Sequence, residues 1–387
     1  MQSFKTLIRN NMRQYSMLLV LAAILALFQI LTGGLLITPL NLTNIVLQNS
    51  YIVILAIGML PIIITARIDL SVGSIAAFVG AVAAIMMVNF GAGFVPTVLA
   101  GLLIGALIGA WQGFWVAYRN IPAFIVTLST QLVFRGLTVV VLDGRSIGPF
   151  SDAFQALSTS YLPDIFTIDG LHVTSLVVAL VACAVIILGE LRNRSEEKKY
   201  GFAANPGWMS IAKMVLLCGA VLVISYVFAS YQGFPTVLMI MIALIIIYTF
   251  ITRKTVFGRH MYALGGNEKA AGLSGVNIKK VLFSTFINMG VLAGLAGLVF
   301  AARLNAGTPK AGNGFELDAI AACFIGGASV YGGTGTVSGA LIGCLIMGVM
   351  NNGMSIMGIA VDLQQAIKGL VILAAVAFDM YAKSKEN

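Results

Sequence analysis

Charged residues are scarce in this chain of 387 residues, of which 10% are Asp, Glu, Lys or Arg. Soluble domains contain about 25% of these residues, whereas 59% of this chain is hydrophobic. The composition therefore excludes a soluble protein and predicts an integral membrane protein surrounded by the lipid bilayer. The formal net charge of +9 does not indicate a nucleic-acid partner, because the basic residues lie in short loops beside apolar segments.

Histidine and cysteine are also rare, with two and four residues respectively. The cysteines lie singly in apolar stretches without a CxxC pattern, which argues against a disulfide framework and a metal site. No G-x-S-x-G, H-E-x-x-H or G-x-x-x-x-G-K-[ST] motif is present. We therefore expect no catalytic residues, no metal and no cofactor in this chain. It is expected to be a passive conduit that depends on an external energy source, and not an enzyme.

Apolar runs follow one another along the chain, each near the length of about 20 residues that a bilayer-crossing helix needs. They predict an all-α polytopic membrane protein with about 12 transmembrane helices, both termini being cytoplasmic by the positive-inside pattern. About ten or eleven crossings are the alternative, if the run 316–332 is re-entrant or the region 191–230 is divided differently. Residues 38–50, with Pro39 and three asparagines, are predicted to be a polar break. The runs are 17–37, 51–66, 72–90, 94–118, 122–142, 173–190, 210–229, 234–251, 281–302, 316–332, 336–356 and 362–381.

The whole chain, 1–387, is predicted to be one transmembrane domain. Residues 253–280 are its longest polar and basic segment and are placed in the cytoplasm. A helix of about two turns is predicted within them, after a break at two glycines. Asn267 can cap this helix, and Glu268 suits its first turn, where the helix dipole favours an acid. The residues concerned are, in order, Gly265, Gly266, Asn267, Glu268, Lys269, Ala270, Ala271, Leu273, Ser274 and Gly275.

A helix this short is marginal alone in water and needs a surface to lie on. The apolar side chains of Ala270, Ala271 and Leu273 offer a small face for such a contact. The segment is therefore either a solvated basic loop or a docking helix for a soluble partner. The residues alone leave these alternatives open.

Polar groups inside the apolar segments are costly and need an explanation. Asp69 or Ser71 can cap the helix that begins at Val72, and a similar acidic junction leads into the run that contains Asp318. The two junctions suit an inverted repeat of the kind found in transporters, or two ordinary helix caps. In the run 122–142, three polar residues spaced four apart share one helix face. The candidates for a polar pathway lining, or for packing contacts instead, are Asp69, Ser71, Thr127, Gln131, Arg135 and Asp318.

Glycines in the run 94–118 also share a face. Gly101, Gly105 and Gly109 are four residues apart, which predicts a close contact between this helix and another one.

Several motifs spread over most of the chain resemble those of one family. They are Thr65–Ala77 (TARIDLSVGSIAA), Ile121–Gly136 (IPAFIVTLSTQLVFRG), Asp143–Arg145 (DGR), Tyr262–Gly275 (YALGGNEKAAGLSG), Ala301–Ala322 (AARLNAGTPKAGNGFELDAIAA), Gly326–Ser329 (GGAS), Asn351–Gly353 (NNG) and Gln364–Lys368 (QQAIK). The sequence resembles the membrane permeases of bacterial ATP-driven sugar importers, the ribose/xylose/galactose/arabinose permease family. Ala66–Arg67 departs from the glycine pair that this family commonly has there. The length of the region 173–233 is more similar to xylose-type or multiple-monosaccharide permeases.

This resemblance implies a multi-pass protein of the bacterial cytoplasmic membrane that works with three partners. They are a second permease subunit, expected to be a second copy of the chain, a cytoplasmic ABC ATPase, and a periplasmic or lipid-anchored sugar-binding protein. It implies that the capped helix in 253–280 is the coupling helix that docks on the ATPase. The alternatives are an importer permease for an autoinducer, a nucleoside or an amino acid, and a stand-alone secondary carrier.

The sugar-binding protein is expected to contact the two longest polar outside loops, 143–172 and 303–315. Asp152, Asp164 and Lys310 are the charged candidates for this contact.

Overall fold

The computed structural model describes residues 4–164, 166–168, 170–199 and 207–384. Helices make up most of these residues, which confirms the all-α polytopic fold class. Helix α3 continues as a π-helical turn, Ile85–Asn89. The other elements are α1 Phe4–Leu31, α2 Pro39–Ile64, α3 Val72–Ala84, α4 Phe94–Ala117, α5 Ala123–Val141, α6 Asp152–Gln155, β1 Thr167–Ile168, β2 Leu171–His172, α7 Val173–Lys199, α8 Gly207–Ala229, α9 Thr236–Lys254, α10 Val256–Gly266, α11 Glu268–Leu273, α12 Ile278–Leu304, α13 Phe315–Ile325, α14 Val337–Ile356 and α15 Val361–Ser384.

In the described part of the chain, nine of these segments are long and apolar enough to cross a membrane. They are α2, α3 with its π-helical turn, α4, α5, α7, α8, α9, α12 and α14. Helix α13 has 11 residues, which span about 16 Å at 1.5 Å per residue, or about half of a 30 Å hydrocarbon core. The run 316–332 therefore contains a half-length helix, as the re-entrant alternative expects.

The prediction of a polar break over residues 38–50 is wrong, because helix α2 begins at Pro39. Proline is favoured in the first helical turn, where its missing N–H has no intrahelical partner to lose. The polar side chains that follow bond to the helix itself. The Thr43 hydroxyl donates to the Pro39 carbonyl at 2.9 Å, and the Asn49 amide donates to the Ile45 carbonyl at 2.9 Å. These bonds let the helix extend through a stretch whose composition suggests a loop.

The chain divides into two compact units. The larger unit comprises residues 1–36, 45–159 and 237–387, and its core centres on the packing of α4 against α12. A Cβ atom at Gly105 would lie 2.3 Å from the Gly290 carbonyl oxygen, and one at Gly109 would lie 2.4 Å from the Phe286 carbonyl oxygen. The glycine face predicted for α4 is confirmed, and α12 is the helix that it contacts.

The smaller unit comprises residues 37–44 and 160–236. Helices α7 and α8 pack side by side in it, and a Lys213–Glu190 ion pair of 2.7 Å joins them. Helix α7 runs on to Lys199 and so continues beyond the end of the predicted run 173–190. At the start of α7, the strands β1 and β2 form an antiparallel pair with Thr167 opposite His172.

Asp164 is held inside the smaller unit by its neighbours. Its carboxylate contacts the ring of His172 and accepts a 3.3 Å hydrogen bond from the Thr174 backbone N–H. Burial acts to raise the pKa of Asp164, but the hydrogen bonds from His172 and Thr174 outweigh it, and the pKa lies below its ordinary value. Asp164 therefore stabilises this loop above its unfolded-state pKa, and the contribution is lost as the pH falls through the lowered value.

A one-methyl change tests the α4–α12 contact. We expect Gly105→Ala to lower the free energy of unfolding by about 1–3 kcal/mol, because the helices must separate to admit the methyl group. Gly136→Ala on α5 is the matched control, since a Cβ atom there meets nothing within 4 Å. Thermal unfolding of the purified protein in detergent measures both changes. Equal midpoints for the two variants would contradict the contact.

Candidate functional site

Two buried polar junctions meet in the larger unit, where helices α3 and α13 begin. A Cβ atom at Gly73 would lie 2.1 Å from the Gly312 carbonyl oxygen and 2.5 Å from Glu316 Oε2. A Cβ atom at Gly312 would lie 1.9 Å from the Gly73 carbonyl oxygen, and Gly312 has a φ of +69°, which favours glycine. Only glycine at both positions permits this approach. It brings the Glu316 carboxylate to the N-terminus of α3, where the helix dipole favours a negative charge.

Asp69 lies just before α3 and is fully buried. Its Oδ1 atom accepts hydrogen bonds from the Ser71 backbone N–H at 2.8 Å and from the Ser71 hydroxyl at 2.6 Å. The Gln112 side chain on α4 donates in turn to the Ser71 hydroxyl. Among the described residues, Asp69 Oδ2 and Gln112 Oε1 have no hydrogen-bond partner. Buried acceptors without a partner are costly, so these two atoms are available to a polar solute that reaches them.

Asp318, on the first turn of α13, is fully engaged. Its Oδ1 atom pairs with Lys368 Nζ at 2.9 Å, and its Oδ2 atom accepts a 3.1 Å hydrogen bond from the Tyr51 hydroxyl. The Tyr51 ring stacks on Phe315, with ring centroids 3.9 Å apart. These contacts anchor α13 to α2 and α15. They do not decide whether Asp318 lines a pathway, which stays a prediction.

The polar face predicted for α5 turns out to face α13 and the segment before it. The Gln131 side chain donates to Glu316 Oε1 at 3.3 Å, and Arg135 donates to the Ala311 carbonyl at 2.6 Å. Thr127 is buried and bonds to its own helix through the Phe124 carbonyl, at 3.4 Å. Two of the three residues on this face therefore reach the junction of α3 and α13.

Two residues at this junction, Glu316 and Gln112, were not among the predicted site residues. The only sequence signal for Glu316 was that it forms a pair of acids with Asp318, two positions later, in one apolar run. Gln112 is the only amide side chain in the glycine-rich run 94–118. A polar side chain in an apolar run is the signal that could have identified it. We call the set of Asp69, Ser71, Gln112, Gln131 and Glu316 the junction cluster.

The predicted capped helix in the 253–280 segment is present, but the predicted break at Gly265 and Gly266 is misplaced, because both glycines belong to the last turn of α10 and the helix ends at Asn267. Asn267 is its N-cap, and the side chain accepts a 3.0 Å hydrogen bond from the Ala270 backbone N–H. Helix α11 then runs from Glu268 to Leu273, and Gly275 has a φ of +87°. The residues therefore dictate this helix locally, as the capping pattern predicts.

The apolar residues of α11 divide between two surroundings. Ala271 is buried against the rest of the unit, whereas Ala270 is exposed and the Leu273 side chain is 92% exposed. Leu273 is therefore accessible at the end of a capped turn and makes little contact with the rest of the unit.

The three charged residues predicted to contact a binding protein differ in their surroundings. Asp152 at the start of α6 and Lys310 are exposed. Asp164 is half-buried and is already bonded to His172 and Thr174. Replacing Asp164 would therefore disturb the local structure as well as any contact with a partner.

The helical architecture and the candidate membrane spans of the described residues define a polytopic membrane protein. The chain belongs to the family described as the branched-chain amino acid transport system / permease component, whose model matches residues 41–195 and 197–376.

Its relatives match it over nearly the full length. The chain is 39% identical to the xylose transport system permease protein XylH of Haemophilus influenzae over 375 residues, which cover 97% of this chain and 98% of that protein. It is 37% identical to XylH of Escherichia coli strain K12, covering 97% of this chain and 93% of the relative. It is 34% identical to the ribose import permease protein RbsC of the same strain, over 88% of this chain and 85% of that one. No solved structure matches this chain.

The buried Asp318–Lys368 pair gives a stability prediction. We expect Lys368→Met to destabilise the protein by about 3–5 kcal/mol, because it leaves the Asp318 carboxylate buried and unpaired. The double variant Asp318→Asn with Lys368→Met should recover most of that loss, since both charges are then removed. Thermal unfolding in detergent provides the comparison, and a double variant as unstable as Lys368→Met alone would contradict the pairing.

Proposed function

We propose that the chain is the membrane-spanning translocation subunit of an ATP-driven, binding-protein-dependent importer of monosaccharides. The observation that carries this proposal is similarity over nearly the whole chain to permeases named for xylose and ribose transport. Xylose is the first solute to test, because the relatives named for it are more similar than those named for ribose. A different small solute, such as an autoinducer, a nucleoside or an amino acid, is the second candidate, and the family description supports an amino acid among these.

The proposed importer has three kinds of component in the bacterial cytoplasmic membrane and beside it. Two copies of this chain form the conduit, an ABC ATPase works on the cytoplasmic side, and a periplasmic or lipid-anchored sugar-binding protein delivers the solute. The exposed charges of Asp152 and Lys310 support a contact with the binding protein on the outer side. Asp164 is kept in this proposal only as a neighbour of that contact, since it is bonded within its own loop.

The junction cluster is proposed to line the pathway together with Thr127, Arg135 and Asp318. A monosaccharide carries many hydroxyl groups and needs hydrogen-bond partners along its route. Asp69 Oδ2, Gln112 Oε1 and Glu316 Oε2 are buried acceptors without a partner among the described residues, which supports this assignment. The pathway requires no tight site, because the binding protein supplies the affinity.

Reconstitution tests the proposed class of transporter. In proteoliposomes that contain the chain, the ATPase and the binding protein, uptake of labelled xylose should depend on ATP. The chain alone should transport nothing, because it has no energy source of its own. Uptake by the chain alone would instead identify a secondary carrier. ATP-dependent uptake of another solute, with no competition by xylose, would assign the chain to the second candidate.

A second prediction concerns the coupling helix, residues 267–275. We expect Leu273→Asp to abolish co-purification of the ATPase, because an unpaired charge in the contact costs several kcal/mol. Val256→Asp is a matched control, since Val256 is an exposed apolar residue of the same segment, 55% exposed, at the start of α10. It should leave co-purification unchanged. Normal co-purification and normal uptake with Leu273→Asp would show that the ATPase docks elsewhere.

A further inference from the structure

The coupling helix is joined by an ion pair to the loop that leads into α3. Arg67 Nη2 lies 2.9 Å from Glu268 Oε2, and the two side chains are 27% and 44% exposed. Pairs this exposed contribute little to stability. The pair matters instead because of its place: it connects Glu268, in the first turn of α11, with Arg67, two positions before Asp69.

The backbone at the end of α10 contacts the end of α2 and the α13–α14 loop of the larger unit. A Cβ atom at Gly265 would lie 1.7 Å from the Ile64 carbonyl oxygen and 2.6 Å from the Gly333 nitrogen. The Gly333 N–H donates to the same Ile64 carbonyl at 2.9 Å. The Tyr262 hydroxyl, one turn earlier on α10, donates to the Gly335 carbonyl at 2.7 Å. The coupling segment thus contacts both the α2–α3 loop and the α13–α14 loop.

These are the two loops that hold the short helices. The α2–α3 loop leads into α3, and the α13–α14 loop follows α13. Helix α13 is 11 residues long, so about 16 Å separate the junction cluster at its start from the beginning of the α13–α14 loop at its end. The coupling segment is therefore linked to the cluster from the α3 side and from the α13 side.

A cavity of about 680 Å³ lies beside the ion pair and is lined by both of its members. Asn120 and Lys279 add polar groups to its wall. Ile68 and Val116 also line it, and they adjoin the junction cluster, since Ile68 precedes Asp69 and Val116 follows Gln112 by one helical turn. The α2–α3 loop is thus the partition between the buried cluster and the cavity. The volume is within the range of small-molecule sites.

We propose that Arg67, Gly265 and Tyr262 are positioning residues that transmit the movement of the coupling helix to both loops. When the α2–α3 loop moves with Glu268, the junction cluster opens into the cavity, through which a polyhydroxylated solute leaves on the side of the ATPase. This inference rests on the proposed function. The competing route is transmission through the covalent flanks of the segment, α9 and α12 alone, which needs neither the ion pair nor the glycine contact.

The test uses the complete importer in proteoliposomes and measures solute uptake per ATP hydrolysed. We expect Arg67→Glu to lower this ratio by about tenfold, the size of a typical coupling energy. The charge exchange, Arg67→Glu with Glu268→Arg, should restore it to within about twofold, because the attraction is re-established. A role that either side chain has outside the ion pair would not be rescued by the exchange.

The adjacent glycines give an independent comparison. Gly265→Ala should lower the ratio by about tenfold as well, because its methyl group displaces Ile64 or Gly333. Gly266→Ala should leave it unchanged, since a Cβ atom there meets nothing within 4 Å. If Gly265→Ala fails to fold, the charge exchange still decides the outcome.

Co-purification of the ATPase distinguishes failure of this inference from failure of the proposed function. A lowered ratio with co-purification at the wild-type level, and rescue by the charge exchange, supports the proposal. A wild-type ratio for Arg67→Glu, or an exchange variant as impaired as the single one, overturns it in favour of the covalent flanks. If the wild-type chain itself retains no ATPase, the proposed function fails and this inference fails with it.

Discussion

The close approach of two backbones, at Gly73 and Gly312, is the constraint on which the rest of the structure depends. It places the starts of α3 and α13 against each other and brings Glu316 to the N-terminus of α3. Any side chain larger than hydrogen at either position would separate the two helices. The cost of burying these acids in an apolar chain is reduced in part, because Glu316 lies at a helix N-terminus and one carboxylate oxygen of Asp69 and of Glu316 accepts hydrogen bonds. The short length of α13 is compatible with this arrangement, since non-helical backbone is tolerated at membrane depth only where protein or a cavity surrounds it.

The two ends of the larger unit are connected through this junction. On one side, Asp318 is fixed to α2 and α15 by Tyr51 and Lys368. On the other, the coupling segment contacts the α2–α3 loop through Arg67 and Gly265. The junction cluster lies between this anchor and the proposed coupling segment. In the proposed transport cycle, a displacement of that segment acts on the cluster while Asp318 stays anchored.

Local features could be predicted from the sequence, and contacts between distant residues could not. The membrane class, the glycine face of α4 and the capped helix at Asn267 depend on composition, spacing and neighbours in the chain. Glu316 and Arg67 acquire their roles from partners 185 and 201 residues away, and no local pattern reports such pairs. The start of α2 was mispredicted for a related reason. Asn and Thr indicate a loop only when their side chains do not bond to their own helix, and here they do.

The junction cluster is proposed to lie on the route of the solute. Thiol accessibility during transport is the most direct test of this placement. Both substitutions are made in a variant that lacks the four native cysteines. Gln131→Cys is the test, because Gln131 bonds to Glu316. Leu132→Cys is the neighbouring control, because Leu132 is 69% exposed on the surface of α5. We expect a small, charged, water-soluble thiol reagent to modify residue 131 while the complete importer hydrolyses ATP. Saturating solute should slow this reaction. Residue 132 should stay unmodified in the bilayer. A residue 131 that is inert in every state would contradict the account and identify the cluster as a packing contact.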